Sequence, residues 1–313
     1  MKIWVNTGTM GKGKIRDKSN EINIALSNIA EACTALGHEV VHGQECNMYD
    51  CIFLFASTSR RKDSQNKRNR IIRDCWESKK PVFHLDTGIF STYIRRHISS
   101  NQSNYFRIGL GDCVGTGDFL NENSNPKRFE MLKKKYNFSE NPTKSSNSGH
   151  ILFLLQNPRG WQYDELEDYN TWARNTLLDI RKYTNREILV RPHPNHQDHS
   201  DFVQITKKIP NVSKQKTDKN RQKSADDIKH AAAVVTHSSS AVTEAYVEGV
   251  PVFVTSNRCF GYEYYSMDLS KLSDLETYNW NNRYQVLCNW AMSSWHLEEM
   301  RDSKIIKRYL DRI

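Results

Sequence analysis

No two cysteines in this 313-residue chain stand at C-x-x-C spacing. The seven cysteines (33, 46, 51, 75, 113, 259 and 288) are odd in number and thinly spread. This argues against a zinc site and suits a reducing compartment. No apolar run approaches membrane-spanning length. The opening MKIWVNTGTMGKGK lacks the apolar segment of a secretion signal. A soluble, intracellular protein is the expectation. Gly8-x-x-Gly11-x-Gly13 has the spacing of neither a dinucleotide fingerprint nor a P-loop. It reads as a phosphate or substrate loop, or as a plain polar connection. Hydrophobic residues make up 37%, low but enough for packed cores. Lys and Arg number 45 against 36 Asp and Glu, a net charge of +9. That balance favours an anionic partner: nucleic acid, anionic lipid or a phosphorylated substrate. The length fits two ordinary domains or one large one.

What is present is alternation. Residues 231–254 read AAAVVTHSSSAVTEAYVEGVPVFV. An apolar run of strand length (231–235) leads to a polar turn. A helix-like segment (241–248) follows, stopped by Gly249, and a second apolar run (250–254) closes the stretch. This is the strand, turn, helix, strand order of a parallel α/β sheet. Ser238, Ser239 and Ser240 fall where the helix begins, beside unpaired N–H groups and the positive end of the helix dipole. Such a place suits a phosphate. An N-cap needs one hydroxyl only, which leaves the triplet and His237 unexplained.

The first half shows the same grammar. Strands are predicted at 2–5, 39–41, 51–55 and 81–84. A helix over 21–36 carries Ile22, Ala25, Leu26, Ile29, Cys33 and Leu36 at three- and four-residue steps, with Gly37 at its end. Residues 57–73 are strongly basic, with Arg60, Arg61, Lys62 and Arg68 among them. They read as a phosphate-facing patch or as a solvated helix face. Asp86 follows a strand end, where catalytic groups of open α/β sheets cluster, and is a general-base candidate or a turn aspartate. Asp112 and Asp118 are further base candidates. They sit among four glycines (109, 111, 115, 117) that imply tight turns or close approach to a ligand. Residues 142–149 read as a linker, so domains are expected at 1–145 and 146–280. In the second half, a strand (150–155), a long helix (163–183) and a strand ending Arg191-Pro192-His193-Pro194 precede the serine stretch. Ser224 is expected to cap a short helix over 225–230. The tail, 281–313, is helical in pattern.

Arg191-Pro192-His193-Pro194 and Thr236-His237-Ser238-Ser239-Ser240, with Glu244 and Gly249-Val250-Pro251-Val252 after them, resemble the donor half of two-domain GT-B glycosyltransferases. The likeness covers 150–255 and is nearest to bacterial capsule and lipopolysaccharide sugar transferases, sialyltransferases and polyglycerolphosphate transferases. It implies an α/β fold of two Rossmann-like domains facing a central cleft, with C-terminal helices (281–313) crossing back to the first domain. It implies a UDP- or CMP-type nucleotide sugar as co-substrate. His193 and Ser238 or Ser239 would hold its phosphate, with His237 and Ser240 also in the donor site, Arg191 would assist or form a structural ion pair, and Glu244 would bind the ribose. The resemblance and the absence of an Asp-x-Asp signature imply no cofactor and no essential metal.

The donor half does not name the acceptor. Arg60, Arg61, Lys62, Arg68, Arg95 and Arg96 make the first half the basic one, which fits a polyanion. The Asn/Lys-rich, untargeted character is similar to that of tailed-phage proteins. Phages encode transferases that place sugars on hydroxymethylated bases. The leading expectation is therefore transfer to a 5-hydroxymethyl pyrimidine of double-stranded DNA in a bacterial cytoplasm, with the base flipped out and Asp86 deprotonating the hydroxyl. The alternatives are a capsule, lipopolysaccharide or teichoic-acid type transferase, and a non-catalytic nucleic-acid-binding protein.

Overall fold

The computed structural model describes all residues except 7–17, 44–47, 56–66, 99–102, 113–114, 116, 120–122, 139–148, 159–162, 164–165, 167, 194–198, 216–220 and 279–281. Side chains are described over the same residues less 18–20, 67–69, 96, 199–200 and 221–224. Two units divide the chain: Met1–Tyr136 with Tyr284–Ile313, and Asn137–Arg283.

The first unit runs β1 (Lys2–Val5), α1 (Lys18–Ala35), β2 (Glu39–His42), β3 (Cys51–Phe55), α2 (Lys67–Glu77), β4 (Val82–Thr87), α3 (Ser91–His97), β5 (Tyr105–Leu110) and α4 (Lys127–Tyr136). Its sheet has the order β11-β5-β4-β3-β1-β2, where β11 comes from the chain's tail, Ser294–His296. Strands β1 to β4 run parallel. Strand β5 is antiparallel to β4, and β11 is antiparallel to β5.

Alternate residues face opposite sides of this sheet. Ile3, Val5, Phe53, Phe83 and Leu85 pack with Ile22, Leu26 and Ile29 of α1. Trp4, Ile52, Leu54 and Val82 pack with Ile72 and Cys75 of α2. Both faces are covered, so these strands read as continuous apolar runs. Each fully buried side chain of this kind contributes roughly 1.5–3 kcal/mol. Gly37, at φ +82°, takes the left-handed turn that ends α1, a conformation in which a side chain is strained.

The tail departs from the helical reading. From Tyr284 on it belongs to the first unit, and it runs α9 (Arg283–Ala291), then β11, then α10 (Ser303–Leu310). Trp295 sits in β11 opposite Phe106, and its indole N–H donates to the Tyr309 hydroxyl at 2.9 Å. Three residues of strand with a bulky aromatic fit a helical spacing by accident.

The second unit runs β6 (His150–Leu154), α5 (Tyr169–Tyr183), β7 (Ile188–Arg191), α6 (His199–Thr206), β8 (Val212–Lys214), α7 (Arg221–Lys229), β9 (Ala231–Thr236), α8 (Val242–Glu248) and β10 (Val252–Val254). All five strands are parallel, in the order β10-β9-β6-β7-β8. Ile151, Phe153, Val190 and Val235 pack with Ala173, Leu177 and Ile180 of α5. The expected pair of Rossmann-like α/β units is what the chain forms.

Two expected helix starts shift. Helix α5 begins at Tyr169 rather than 163, because the Asp168 carboxylate caps it and accepts from the Thr171 N–H at 2.5 Å. Tyr163 and Leu166 extend the apolar spacing past that cap. Helix α7 begins at Arg221, which leaves Ser224 inside it. The aromatic stretch after β10 packs within its own unit: Cys259, Phe260 and Tyr265 are buried, and Tyr265 lies 5.6 Å from Tyr246. No described helix is long and apolar enough to cross a membrane.

Candidate functional site

The sheet of the second unit reverses its order between β6 and β9. From β6 the chain moves outward through β7 and β8, then returns to β9 on the other side. The crevice outside the carboxyl ends of two such strands is where open α/β sheets bind ligands. Register then decides which residues meet there. Leu154 of β6 is level with Thr236 of β9 and with Arg191 of β7. Gln156, Ser238 and His193 each stand two residues beyond the ends of these adjacent strands. Neighbouring strands lie about 4.8 Å apart, so the three strand ends span roughly 10 Å. Gln156, just past β6, thus follows the strand between those that lead to the two motifs singled out in the sequence.

Gln156 is bound tightly to the serine turn. Its Oε1 accepts from the Ser238 N–H at 3.1 Å, the Ser238 hydroxyl at 3.2 Å and the Tyr163 hydroxyl at 3.2 Å. Its backbone carbonyl accepts from the Tyr169 hydroxyl at 3.1 Å. Burial pushes both phenols up, so they remain protonated donors throughout the physiological range. The Ser238 hydroxyl also lies 3.0 Å from Nδ1 of His237.

His237 is 1% exposed. Its ring packs against Tyr163 at 4.7 Å and edge-on to Trp172 at 5.3 Å. The Trp172 indole N–H in turn donates to Thr255, just past β10, at 3.0 Å. His237 therefore supports Ser238 from beneath. Ser239 and Ser240 continue the turn, and the Ser239 hydroxyl accepts from the Ala241 N–H at 3.3 Å. Helix α8 has seven residues, so its dipole is a small contributor and the side-chain cluster carries the site.

Arg191 has the ion-pair place. It is 6% exposed and its guanidinium donates to the Asp227 carboxylate on α7, which also accepts from Gln215 at 2.5 Å. Glu244, on the first turn of α8, is 3% exposed. His193 is half-buried. The Leu155 N–H donates to the Arg191 carbonyl at 2.9 Å, which fixes the exit of β7 beside Gln156.

The three aspartates part company in the first unit. Asp86 lies inside β4, at its carboxyl end, not in a loop beyond it. Its carboxylate accepts from Arg107 at 2.8 Å and from the Thr87 N–H at 2.7 Å. Asp112 and Asp118 follow β5, and β5 is antiparallel: Leu110 at its end is level with Phe83 near the start of β4. Both lie at the amino-terminal edge of the parallel strands, the wrong edge for a ligand crevice. Asp118 pairs with Arg312, and Asp112 is buried. The glycines there bring the chain close to itself. A Cβ on Gly109 or Gly117 would collide with the Asp112 carbonyl.

Asn6 was not singled out by the sequence. It directly follows β1 at the first unit's own reversal, between β1 and β3, and its N–H donates to the Phe53 carbonyl at 2.9 Å. The residue is 1% exposed, and neither amide atom has a partner among the described residues. Of the basic residues, Arg60, Arg61 and Lys62 lie outside the described residues, as do the side chains of Arg68 and Arg96; Arg95 on α3 is half-buried. Among the described residues no group of His, Cys, Asp or Glu gathers as metal ligands would.

No family model matches the chain, and no curated protein matches its sequence. Solved structures do match. The Thermosulfurimonas dismutans KpsC β-Kdo 2,7-transferase aligns with a TM-score of 0.53 at 13% identity, covering 95% of this chain and 92% of that one. The β-Kdo 2,4-transferase structure of KpsC from the same organism gives 0.45 at 13% identity, over 88% and 89%. A Methanocaldococcus jannaschii UDP-GlcNAc 2-epimerase, in complex with UDP-GlcNAc and UDP, gives 0.40 at 14% identity over the whole of both chains. The last two are too distant to carry an argument. The first, together with the two sheets described above, establishes that this chain has the GT-B type of fold, two Rossmann-like α/β units.

Proposed function

We infer that the chain is a glycosyltransferase that moves a sugar from a nucleotide sugar to a hydroxyl acceptor, with the donor held on the second unit. One observation carries the reading: Ser238, Gln156 and His193 each stand two residues past the carboxyl ends of three adjacent strands, β9, β6 and β7, at the reversal of the sheet. Glycosyl transfer leaves a nucleoside phosphate whose negative charge grows in the transition state. Fixed donors aimed at that charge are the main catalytic device, and they need no metal. In this reading His193 and the hydroxyls of Ser238, Ser239 and Ser240 face the phosphate. Glu244 holds the ribose, and His237 and Arg191 support them. Asp86, oriented by Arg107, takes the acceptor's proton.

For the acceptor we favour a capsule- or lipopolysaccharide-type glycan over a hydroxymethylated base of DNA. The solved structure with the better fit is a Kdo transferase. The test is a transfer assay with purified protein and a panel of CMP-, UDP- and GDP-sugars. Its acceptors are Kdo-bearing oligosaccharides and duplex DNA containing 5-hydroxymethylcytosine, read by mass spectrometry. A sugar added to the oligosaccharide is expected. A mass gain on the modified nucleoside alone would move the acceptor to DNA. No nucleotide release from any donor would contradict the transferase reading.

A further inference from the structure

We propose that Gln156 is a direct ligand of the donor's phosphate through its side-chain N–H groups; the proposal rests on the donor-site reading above. The orientation of an amide side chain is settled by its partners. The Ser238 N–H is a backbone group and only donates, so the Gln156 atom facing it at 3.1 Å is the oxygen. The same oxygen also takes the Ser238 and Tyr163 hydroxyls. Three donors on one oxygen fix the plane and the sense of the amide. The Nε2 group then points away from the serine turn. It has no partner among the described residues and does not belong to the buried unsatisfied atoms, so it is open to solvent. Two N–H donors are then carried just past the end of β6, the strand between β9, which leads to Ser238, and β7, which leads to His193.

The same geometry changes what Ser238 offers. Its N–H and its hydroxyl both donate to Gln156, so the turn supplies the hydroxyls of Ser239 and Ser240 and the glutamine supplies the amide donors. An anion with several acceptor oxygens fits this set, and a phosphate ester has them. A carboxamide held in this way pays little entropy on binding, since its rotamer is fixed beforehand.

The substitution Gln156→Glu separates the two halves of the side chain. It keeps an oxygen for Ser238 and Tyr163, so the turn stays in place. It replaces the N–H groups with a second oxygen. Binding of UDP and of CMP to wild-type and variant protein is measured by calorimetry, with thermal unfolding as the control for folding. Wild-type protein is expected to bind one of them. The Glu variant is expected to unfold at the wild-type temperature and to bind about 10- to 100-fold more weakly, the worth of a hydrogen bond to a charged group. Affinity within about twofold of wild type, a change far below that of one such bond, would overturn the assignment and leave Gln156 a purely structural support. Gln156→Met, close in shape but with neither oxygen nor N–H, covers a Glu variant that does not fold; unchanged affinity there overturns the assignment equally. Failure of wild-type protein to bind either nucleotide would overturn the donor-site reading, and this proposal with it.

Discussion

Replacing His193 with alanine is expected to lower the rate of sugar transfer about 100- to 1,000-fold while the second unit stays folded. The size is that of removing one fixed donor from a charge that develops only in the transition state. The residue is half-buried and follows the last hydrogen-bonded position of β7, so its side chain contributes little to the core. The loss should fall mainly on kcat, because the charge is greater in the transition state than in the bound donor. Steady-state kinetics and a thermal melt of the same sample make the check. A rate within about twofold of wild type would be far smaller than the loss of such a donor and would make His193 a turn residue between prolines.

The second large effect is on stability. Asp227→Ala is expected to destabilise the second unit by about 3–5 kcal/mol, because it leaves the Arg191 guanidinium buried without its counter-charge. Arg191 is 6% and Asp227 9% exposed, and the pair ties α7 to the end of β7. The Gln215 amide, which donates to the same carboxylate at 2.5 Å, is orphaned as well. Chemical denaturation reads the change. A double variant with apolar residues of similar volume at 191 and 227 should recover most of the loss, since the cost lies in the unpaired charge rather than in the missing attraction. An Asp227→Ala variant as stable as wild type would show that water reaches the guanidinium.

The units and most of their elements are legible in the sequence because burial on both faces of a parallel sheet writes itself as apolar runs between turn residues. β1 and β3 were readable to the residue at Lys2–Val5 and Cys51–Phe55. Strand direction is not written that way. Nothing in the composition of β5 marks it as antiparallel, and that single reversal carries Asp112 and Asp118 to the edge away from any ligand crevice. The three-residue β11 was hidden for a related reason, since Trp295 fits a helical spacing as well as a strand. Gln156 was hidden more deeply. A lone glutamine after a strand has no motif, and its place between His193 and Ser238 exists only once β6 is known to lie between β7 and β9. The one available signal was positional: it stands two residues past the end of a central strand, as His193 and Ser238 do.

The central claim is that a nucleotide sits outside the carboxyl ends of β6, β7 and β9. Amide hydrogen exchange, followed by mass spectrometry with and without saturating UDP or CMP, tests it most directly. Slowed exchange is expected in the peptides spanning residues 155–158, 191–193 and 236–241. Protection confined to the first unit, or at the amino-terminal edge of the second unit's sheet, would contradict it.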